Sequence, residues 1–195
     1  GVAVKADISN CYVTGSVSGG SWVGGLVGSV AEGTVKNSYA TSWVSGREGI
    51  GGLTGYVENG TVENCYATGS VDGGKYIGGV IGYAGGIGSS TIISCAALNS
   101  HISGTGDVGR VLGYNYNGNS TLSNNYAFSD MAGGGSDKTA SGLDGADTHS
   151  AAIMSGTSFW QDTMGWDETI WAYTSGKLPI LTGLDGQDGT LPYHI

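Results

Sequence analysis

The chain has 195 residues, of which 39 are glycine and two are proline, and it carries a net charge of −9. This composition excludes collagen and proline-rich linkers, and a hydrophobic content of 39% excludes a disordered chain. With only seven Lys and Arg residues, the surface would repel phosphate backbones and anionic headgroups, so neither nucleic acid nor a membrane surface is expected as a partner. The sequence has no run of about 18 apolar residues, so direct membrane insertion is not expected either.

A glycine-framed aliphatic pair recurs along the chain, as "GGLVG" at 24–28, "GGLTG" at 51–55, "GGVIG" at 78–82 and, more weakly, "GRVLG" at 109–113. A second motif repeats in register with it, as "NCYVTGSV", "NSYATSWV", "NCYATGSV", "SCAALNSHI" and "NNYAFSDM". Equivalent positions are 27 residues apart in the first three copies and 30 apart in the later ones, at Tyr12, Tyr39, Tyr66, Ala96 and Tyr126. The additional residues fall in the polar stretches "GGIGSS" and "NYNGNS", where insertions leave strands aligned.

The repeat consists of short Val, Ile, Leu, Thr and Tyr runs between Gly, Asn and Ser residues, a pattern typical of strands and turns. One such unit cannot bury its apolar face, whereas stacked copies can pair each strand with its equivalent in the next copy. We therefore predict an all-β fold, a right-handed parallel β-helix of about five coils. At roughly 4.8 Å per coil its body would be about 24 Å long.

Strand alternation assigns each column of the repeat to the inside or the outside. In "NCYATGSV", Cys65, Ala67 and Val71 share the inward parity, which leaves Tyr66 and Thr68 outward. The predicted outer columns are Tyr12, Tyr39, Tyr66 and Tyr126, flanked by Thr41 and Thr68. An asparagine ladder is expected at the preceding corner, formed by Asn10, Asn37, Asn64 and Asn124, because Asn tolerates turn conformations and bonds to its neighbours.

The glycine frame is predicted to face inward, so that opposite sheets approach closely. This orientation places Arg110 outward, together with a second aromatic strip, Tyr56, Tyr83 and Tyr114. The reverse orientation would instead bury the column that contains Ile50 and Ile77.

Residues 1–131 form the predicted repeat domain, 132–149 a polar Gly/Asp-rich loop, and 150–195 a C-terminal segment packed on the solenoid. That segment holds three of the five tryptophans and predicts a helix near 150–163, with Ser150 as N-cap, and strands near 169–173 and 178–181. We interpret it as a cap over the open end of the solenoid, since an open end exposes apolar core and strand edges. A packing patch along the side is the alternative.

The segments "VGGLVGSVAEGTVKNSYATSWVSG", "IGGLTGYVENGTVENCYATGSVDG" and "IGGVIGYAGG" resemble the GLUG repeat. That repeat, named for its Gly-Leu-any-Gly core, occurs in bacterial surface and secreted proteins, including Bacteroides adhesins and noncatalytic regions of some streptococcal immunoglobulin A peptidases. The ending "GWDETIWAYTSGKLPIL" is similar to the Trp-rich segment that often follows such repeats. The resemblance implies an extracellular or cell-surface role in adhesion or display, and it carries over no catalytic residues.

Candidate ligands for a metal are few. Cys11, Cys65 and Cys95 share one column and are expected to be free thiols in the core, although a bridge between Cys65 and Cys95 is conceivable. His101, His149 and His194 are isolated in the sequence. The acidic residues of two glycine-rich loops are weak calcium candidates, since their spacing fits no established calcium motif: Asp144, Asp147, Asp185 and Asp188.

No paired carboxylates or glycine-rich phosphate loop stand out, so no enzymatic activity and no cofactor are expected. The leading hypothesis is a monomeric adhesin or display module that binds a host protein or a glycan through outward tyrosines and threonines. The tyrosines could instead stack only to stabilise the solenoid, or lie beneath the tail. The alternatives for the whole chain are a carbohydrate-active or carbohydrate-binding β-helix, resembling lyases and hydrolases, and a structural spacer.

Overall fold

Equivalent strands of successive repeats pair side by side, as the repeat spacing predicts. The computed structural model describes residues 1–195 and shows a parallel β-solenoid of five coils with a C-terminal tail. Tyr39 lies between Tyr12 and Tyr66 in parallel register, and Ala96 lies between Tyr66 and Tyr126. The predicted all-β solenoid is confirmed.

The strands group by coil as follows. Coil 1 contains β1 (Val2–Val4), β2 (Asp7–Ser9), β3 (Tyr12–Val13), β4 (Ser16–Ser18) and β5 (Ser21–Gly24). Coil 2 contains β6 (Val27–Ala31), β7 (Thr34–Lys36), β8 (Tyr39–Ala40), β9 (Trp43–Ser45) and β10 (Glu48–Gly51). Coil 3 contains β11 (Thr54–Glu58), β12 (Thr61–Glu63), β13 (Tyr66–Ala67), β14 (Val71–Asp72) and β15 (Lys75–Gly78). Coil 4 contains β16 (Ile81–Ala84), β17 (Thr91–Ile93), β18 (Ala96–Ala97), β19 (Ile102–Ser103) and β20 (Val108–Gly109). Coil 5 contains β21 (Leu112–Asn115), β22 (Thr121–Ser123) and β23 (Tyr126–Phe128), with a 3₁₀ turn at Tyr116–Gly118.

Five narrow parallel sheets form the faces of the solenoid, named here in chain order. Sheet A contains β1, β6, β11, β16 and β21, and sheet B contains β2, β7, β12, β17 and β22. Sheet C contains β3, β8, β13, β18 and β23, and is extended by β24 (Ala146–Thr148). Sheet D contains β4, β9, β14 and β19, and sheet E contains β5, β10, β15 and β20.

The asparagine column forms the corner between sheets B and C. Asn10, Asn37, Asn64 and Asn124 all adopt positive φ, between 48° and 54°, and Ser94 completes the column with φ 51°. Asn64 Nδ2 donates to Asn37 Oδ1 at 3.3 Å, and Asn124 Nδ2 donates to Ser94 Oγ at 3.0 Å. The predicted corner is therefore confirmed, with two of its links made by side chains.

The glycine frame lies between sheets A and E, where the two backbones come into close contact. A Cβ atom on Gly55 would stand 2.5 Å from the backbone nitrogen of Val23, and one on Gly82 would stand 2.5 Å from that of Ile50. The glycines face inward as predicted, because only glycine leaves room for this approach, but the outward placement predicted for the alternate column holds only in part. Ile50 and Ile77 are nevertheless also fully buried. Strict alternation fails in sheet E because the residues before them, Gly49 and Tyr76, adopt positive φ.

Segment 132–149 covers coil 5 and contains β24, which pairs in parallel with β23. The carbonyl of Leu143 accepts hydrogen bonds from the amides of Val111 and Leu112 at 2.9 and 3.0 Å. Arg110 lies beneath this segment and is only 1% exposed, so the expectation that it points to the surface is wrong. Its guanidinium donates to Asp147 Oδ1 at 2.6 Å and to the carbonyl of Gly145 at 2.9 Å.

The tail contains α1 (Ser150–Ile153), a π-helical segment (Ser158–Thr163), β25 (Trp171–Ala172) and β26 (Ile180–Leu181), and the two strands pair antiparallel. The single helix predicted over 150–163 is thus two short pieces, separated by Gly156 with φ 76°. The N-cap of α1 is His149 rather than the predicted Ser150. The helical pieces of the tail are too short to span a bilayer.

The tail lies along sheet C and not across the end of the solenoid. Trp166 Nε1 donates to the carbonyl of Ser94 at 3.0 Å, and Tyr66 Oη donates to that of Pro179 at 2.9 Å. The end-cap interpretation is therefore wrong about location, and the alternative, a patch along the side, is correct. The physical reason is that the tyrosine column of sheet C offers the tryptophans a wide apolar surface.

Candidate functional site

The tyrosine column of sheet C stacks as predicted but is covered. Tyr12 and Tyr39 have ring centroids 5.4 Å apart, and Tyr39 and Tyr66 have centroids 4.7 Å apart. Tyr39 is 4% exposed and Tyr66 is 1% exposed. The prediction that they form an open binding surface is therefore wrong, because the tail occupies the outer side of sheet C.

Tryptophans of the tail make most of this cover. Trp166 stacks on Trp171 with centroids 4.5 Å apart, and both rings lie about 6 Å from that of Tyr66, at 6.2 and 6.0 Å. At the other end of the column, half-buried Tyr126 meets Phe159 edge to face at 5.3 Å. The tail thus completes an aromatic core outside the solenoid wall.

The hydroxyls of the covered tyrosines are used by the tail. Tyr12 donates to the carbonyl of Asp185 at 2.8 Å, and Tyr39 donates to Gln187 Oε1 at 2.8 Å. Burial raises the pKa of Tyr39 and of Tyr66 above the ordinary tyrosine value, so both hydroxyls remain protonated donors. These three side chains serve to dock the tail.

A second aromatic surface remains open on sheets A and E. The predicted strip of Tyr56, Tyr83 and Tyr114 lies in register on sheet A, with successive centroids 5.4 and 5.5 Å apart. Trp22, Tyr76 and Tyr116 join it, and we call this group of six side chains the aromatic face. The ring centroids are 4.8 Å apart for Trp22 and Tyr56, 4.8 Å apart for Tyr76 and Tyr114, and 6.2 Å apart for Tyr116 and Tyr83.

Two of these side chains project from strained backbone. Trp22 and Tyr76 adopt φ values of 54° and 58°, in the left-handed region that costs a non-glycine residue roughly 1–2 kcal/mol. The equivalent residue of the coil between them is Gly49, with φ 66°, and the Trp22 ring lies where a Cβ of Gly49 would be. Sheet E therefore holds an aromatic residue, a glycine and an aromatic residue at one position of three successive coils.

The aromatic face is accessible to a partner. Trp22 is 36% exposed and Tyr116 is 39% exposed, while the other four rings are half-buried. The hydroxyls of Tyr76, Tyr83, Tyr114 and Tyr116 make no hydrogen bond within the protein, unlike those of Tyr12, Tyr39 and Tyr66. Burial and the neighbouring carboxylate of Glu58 raise the pKa of Tyr56 to about 12. The face therefore offers ring surface and neutral hydroxyls together.

Sequence reasoning missed Trp22, Tyr76 and Tyr116. A signal for the first two was present, since "SWV", "EGI" and "KYI" align at the 27-residue spacing. The glycine in the middle copy interrupts the aromatic column. In addition, the rule of strand alternation assumes extended backbone, so it does not predict where a residue with left-handed backbone points. Tyr116 lies in the insertion of coil 5, outside the repeat.

The two predicted threonines differ in exposure. Thr41 is exposed, whereas Thr68 is only 6% exposed, so the prediction that Thr68 is an outward surface residue is wrong. Both lie beside residues 188–194 of the tail, at the edge of sheet C. That placement separates them from the aromatic face.

The four acidic calcium candidates occupy two separate structural sites. Asp144 is buried and accepts backbone amides of Arg110, Gly135 and Asp137 at 2.9, 2.8 and 3.0 Å, and Asp147 pairs with Arg110. Asp185 and Asp188 lie in the loop over the covered tyrosines. No group of three or more His, Cys, Asp or Glu side chains is arranged to hold a metal.

Serine, histidine and aspartate approach one another at two places. Ser103 Oγ and His101 Nε2 both contact Asp72 Oδ1, at 2.6 and 3.6 Å. His149 Nδ1 lies 2.7 Å from Ser129 Oγ, which in turn donates to Asp130. In neither group does a histidine lie between the serine and the carboxylate, which is the order that activates a serine nucleophile.

The three cysteines are free, with Cys65 and Cys95 buried and Cys11 half-buried. Burial, followed by the neighbouring Cys95, raises the pKa of Cys65 well above its ordinary value. The Sγ atoms of Cys65 and Cys95 donate to the carbonyls of Glu63 and Ile93 at 3.1 and 3.3 Å. The thiols are thus small core residues that bond to the corner backbone.

The stacked coils with their glycine frame define a parallel β-solenoid, and two stretches of it match a known repeat. Residues 19–45 and 46–72 match the GLUG motif. The fold is similar to the crystal structure of a proposed immunoglobulin A1 protease from Bacteroides ovatus, with a TM-score of 0.74 and 26% identity. That match covers 90% of this chain and 57% of the other, so this chain spans little more than half of the related protein. No curated protein sequence matches the chain.

Proposed function

We propose that this chain is a noncatalytic module of an extracellular or cell-surface protein, and that it binds a host protein or a glycan through the aromatic face. The observation that carries the proposal is the accessibility of the face. Its rings are accessible to solvent and most of its hydroxyls make no hydrogen bond within the protein. On sheet C, by contrast, the tail covers the tyrosine column and bonds to its hydroxyls. Tyr and Trp combine large contact area with few rotatable bonds, which favours binding.

The backbone of Trp22 and Tyr76 supports the same proposal. Left-handed conformations of bulky residues persist only where the surrounding structure imposes them, and they concentrate at functional sites. Trp22 projects next to Tyr56 and Tyr83, and Tyr76 projects next to Tyr83 and Tyr114. The strain thus places two rings between the coils of the strip, where they join it into a continuous surface.

Proteolysis is a second candidate, because the related Bacteroides protein is named as a proposed immunoglobulin A1 protease. Two observations favour the binding module over it. The Ser, His and Asp groups lack the order of a catalytic triad, and this chain spans 57% of that protein, so its chemistry can reside elsewhere. Incubation of the chain with immunoglobulin A1 should leave the antibody intact, and specific cleavage would overturn the noncatalytic assignment.

A host-matrix and glycan array tests the binding proposal. We expect a binding signal for the unchanged chain, and we expect Tyr83→Ala and Tyr114→Ala each to raise the Kd roughly tenfold or more, since aromatic anchors that become buried at an interface dominate its binding energy. Trp43→Ala is the matched control, because Trp43 is an aromatic residue of sheet D that is 47% exposed. Absence of any signal on a broad array would favour a structural spacer, and a signal unaffected by either tyrosine variant would exclude the aromatic face.

A further inference from the structure

A groove of about 420 Å³ lies between the end of the tail and the solenoid, and no residue of the aromatic face lines it. One wall comes from the turns between sheets C and D, and the other comes from residues 188–194, part of the segment after β26 that we call the strap (182–195). The volume lies in the range of small-molecule sites, and such sites favour the junction of two structural units. The groove is therefore large enough to hold a small ligand.

The solenoid wall is lined with hydroxyl groups from three successive coils. Thr41 belongs to coil 2, Thr68 and Ser70 to coil 3, and Ser100 to coil 4. The hydroxyls of Thr41 and Thr68 make no hydrogen bond within the protein, and Ser70 and Ser100 bond only to each other, at 3.1 Å. Each free hydroxyl can both donate and accept, as a polyhydroxylated ligand requires.

The strap wall supplies one carboxylate and one open aromatic ring. Asp188 Oδ1 accepts the amide of Thr190 at 2.9 Å, and the amide and hydroxyl of Thr190 hold the pKa of Asp188 below its ordinary value. Tyr193 is 98% exposed at the mouth of the groove. An ionised carboxylate accepts hydrogen bonds from neighbouring sugar hydroxyls, and a free ring can stack on the apolar face of a pyranose.

The charges around the groove narrow the class of ligand further. No lysine or arginine lines the groove, and His194 Nε2 is engaged with the carbonyl of Leu98 at 2.9 Å. Asp188 and the net charge of −9 oppose an anionic sugar such as a sialic or uronic acid. We propose that the groove is a second binding site, for a single neutral pyranose, held by Thr41, Thr68 and Asp188 and stacked on Tyr193.

Because the ligand would touch both walls, binding would stabilise the docked strap. This proposal does not depend on the aromatic face, which lies on sheets A and E. Residue-by-residue binding data can therefore show that a ligand binds at one site and not at the other.

The test is an NMR titration of the full chain with the methyl glycosides of glucose, galactose, mannose and N-acetylglucosamine. At least one should shift the amides of Thr41, Thr68, Ser100 and Thr190 with a Kd of about 1 mM or tighter. The amides of Tyr83 and Tyr114 should not move. The same sugar should raise the Tm of the chain.

Asp188→Asn should raise the Kd for that sugar roughly tenfold without changing the fold, because the residue is exposed. Tyr193→Ala should raise the Kd by a similar factor. Asp107→Asn, at an exposed aspartate of another corner, is the control and should bind normally. The proposal is overturned if none of the four sugars shifts the groove amides at about 10 mM. It is also overturned if shifts occur only at the aromatic face, which would leave the proposed function intact.

Discussion

The ring of Tyr66 lies flat on that of Tyr39, with centroids 4.7 Å apart and planes within 3° of parallel. Both rings are sealed by the tail, so Tyr66→Ala should open a cavity and cost about 3–5 kcal/mol of unfolding free energy. Tyr83→Ala, on the open aromatic face, should cost much less because solvent fills the space. Urea unfolding followed by circular dichroism measures both, and equal losses would mean that the tail does not bury the column.

Removal of residues 150–195 should expose the covered tyrosines and the outer side of sheet C. We expect the truncated chain to self-associate or lose solubility, since large apolar patches rarely stay free in solution. Size-exclusion chromatography with light scattering measures the oligomeric state. Deletion of the strap alone (182–195) keeps the tryptophans in place and should leave a monomer. A well-behaved monomer from the longer deletion would refute the covering role.

The corner residue Asn64 combines a left-handed backbone with a side-chain bond to Asn37. Asn64→Ala should cost roughly 1–2 kcal/mol, because alanine tolerates this conformation poorly. Asn64→Gly should cost less, since glycine adopts positive φ freely. Asn119→Ala, at an exposed turn residue with φ −77°, is the control for thermal unfolding. If alanine and glycine at 64 were equivalent, the corner conformation would not limit stability.

The ion pair between Asp147 and Arg110 predicts a dependence of stability on acid pH. Partial burial by itself raises the pKa of Asp147, but the hydrogen bond and charge of Arg110 outweigh it and leave the pKa lowered. The contribution is therefore present above the unfolded value of about 3.9 and is lost as pH falls through the folded value. Asp147→Asn should flatten the Tm profile below about pH 5. An unchanged slope in that variant would assign the acid sensitivity to other groups.

The cysteines should respond to thiol reagents according to their burial. In the native protein at neutral pH only half-buried Cys11 should react, because Cys65 and Cys95 are enclosed and the pKa of Cys65 is raised. All three should react in denaturant without a reductant. Detection of one thiol instead of three would reveal the Cys65–Cys95 bridge that the sequence left open.

The sequence predicts the solenoid well because a fixed period turns each column into a stack. Asn64 and Gly55 illustrate this, since the equivalent residues 27 positions away predict the placement of each, and the structure confirms both. The repeat also correctly predicts that Tyr39 and Tyr66 point away from the solenoid core. The sequence does not predict which segment covers them, because the tail contains no repeat and its docking position depends on ring packing and on hydrogen bonds to sheet C and its turns.

Local conformation accounts for the other differences. Trp22 and Tyr76 reach the aromatic face through left-handed backbone, which two-residue alternation cannot anticipate. Arg110 is buried only because segment 132–149, which looks like a polar loop, supplies Asp147 as its partner. The first case depends on local backbone conformation within the repeat, and the second depends on a contact between segments that share no repeat.

The tail also changes how the module should respond to mechanical load. It is bonded to coil 1 through Tyr12, to coil 3 through Tyr66 and to coil 5 through Asn124, whose side chain donates to the carbonyl of Thr163. A solenoid held only by contacts between neighbouring coils can peel from one end, one coil at a time. Here the tail links the outer coils to the middle coil, so an outer coil can detach only if its bonds to the tail also break. Under tension the coils should therefore unfold together rather than one at a time.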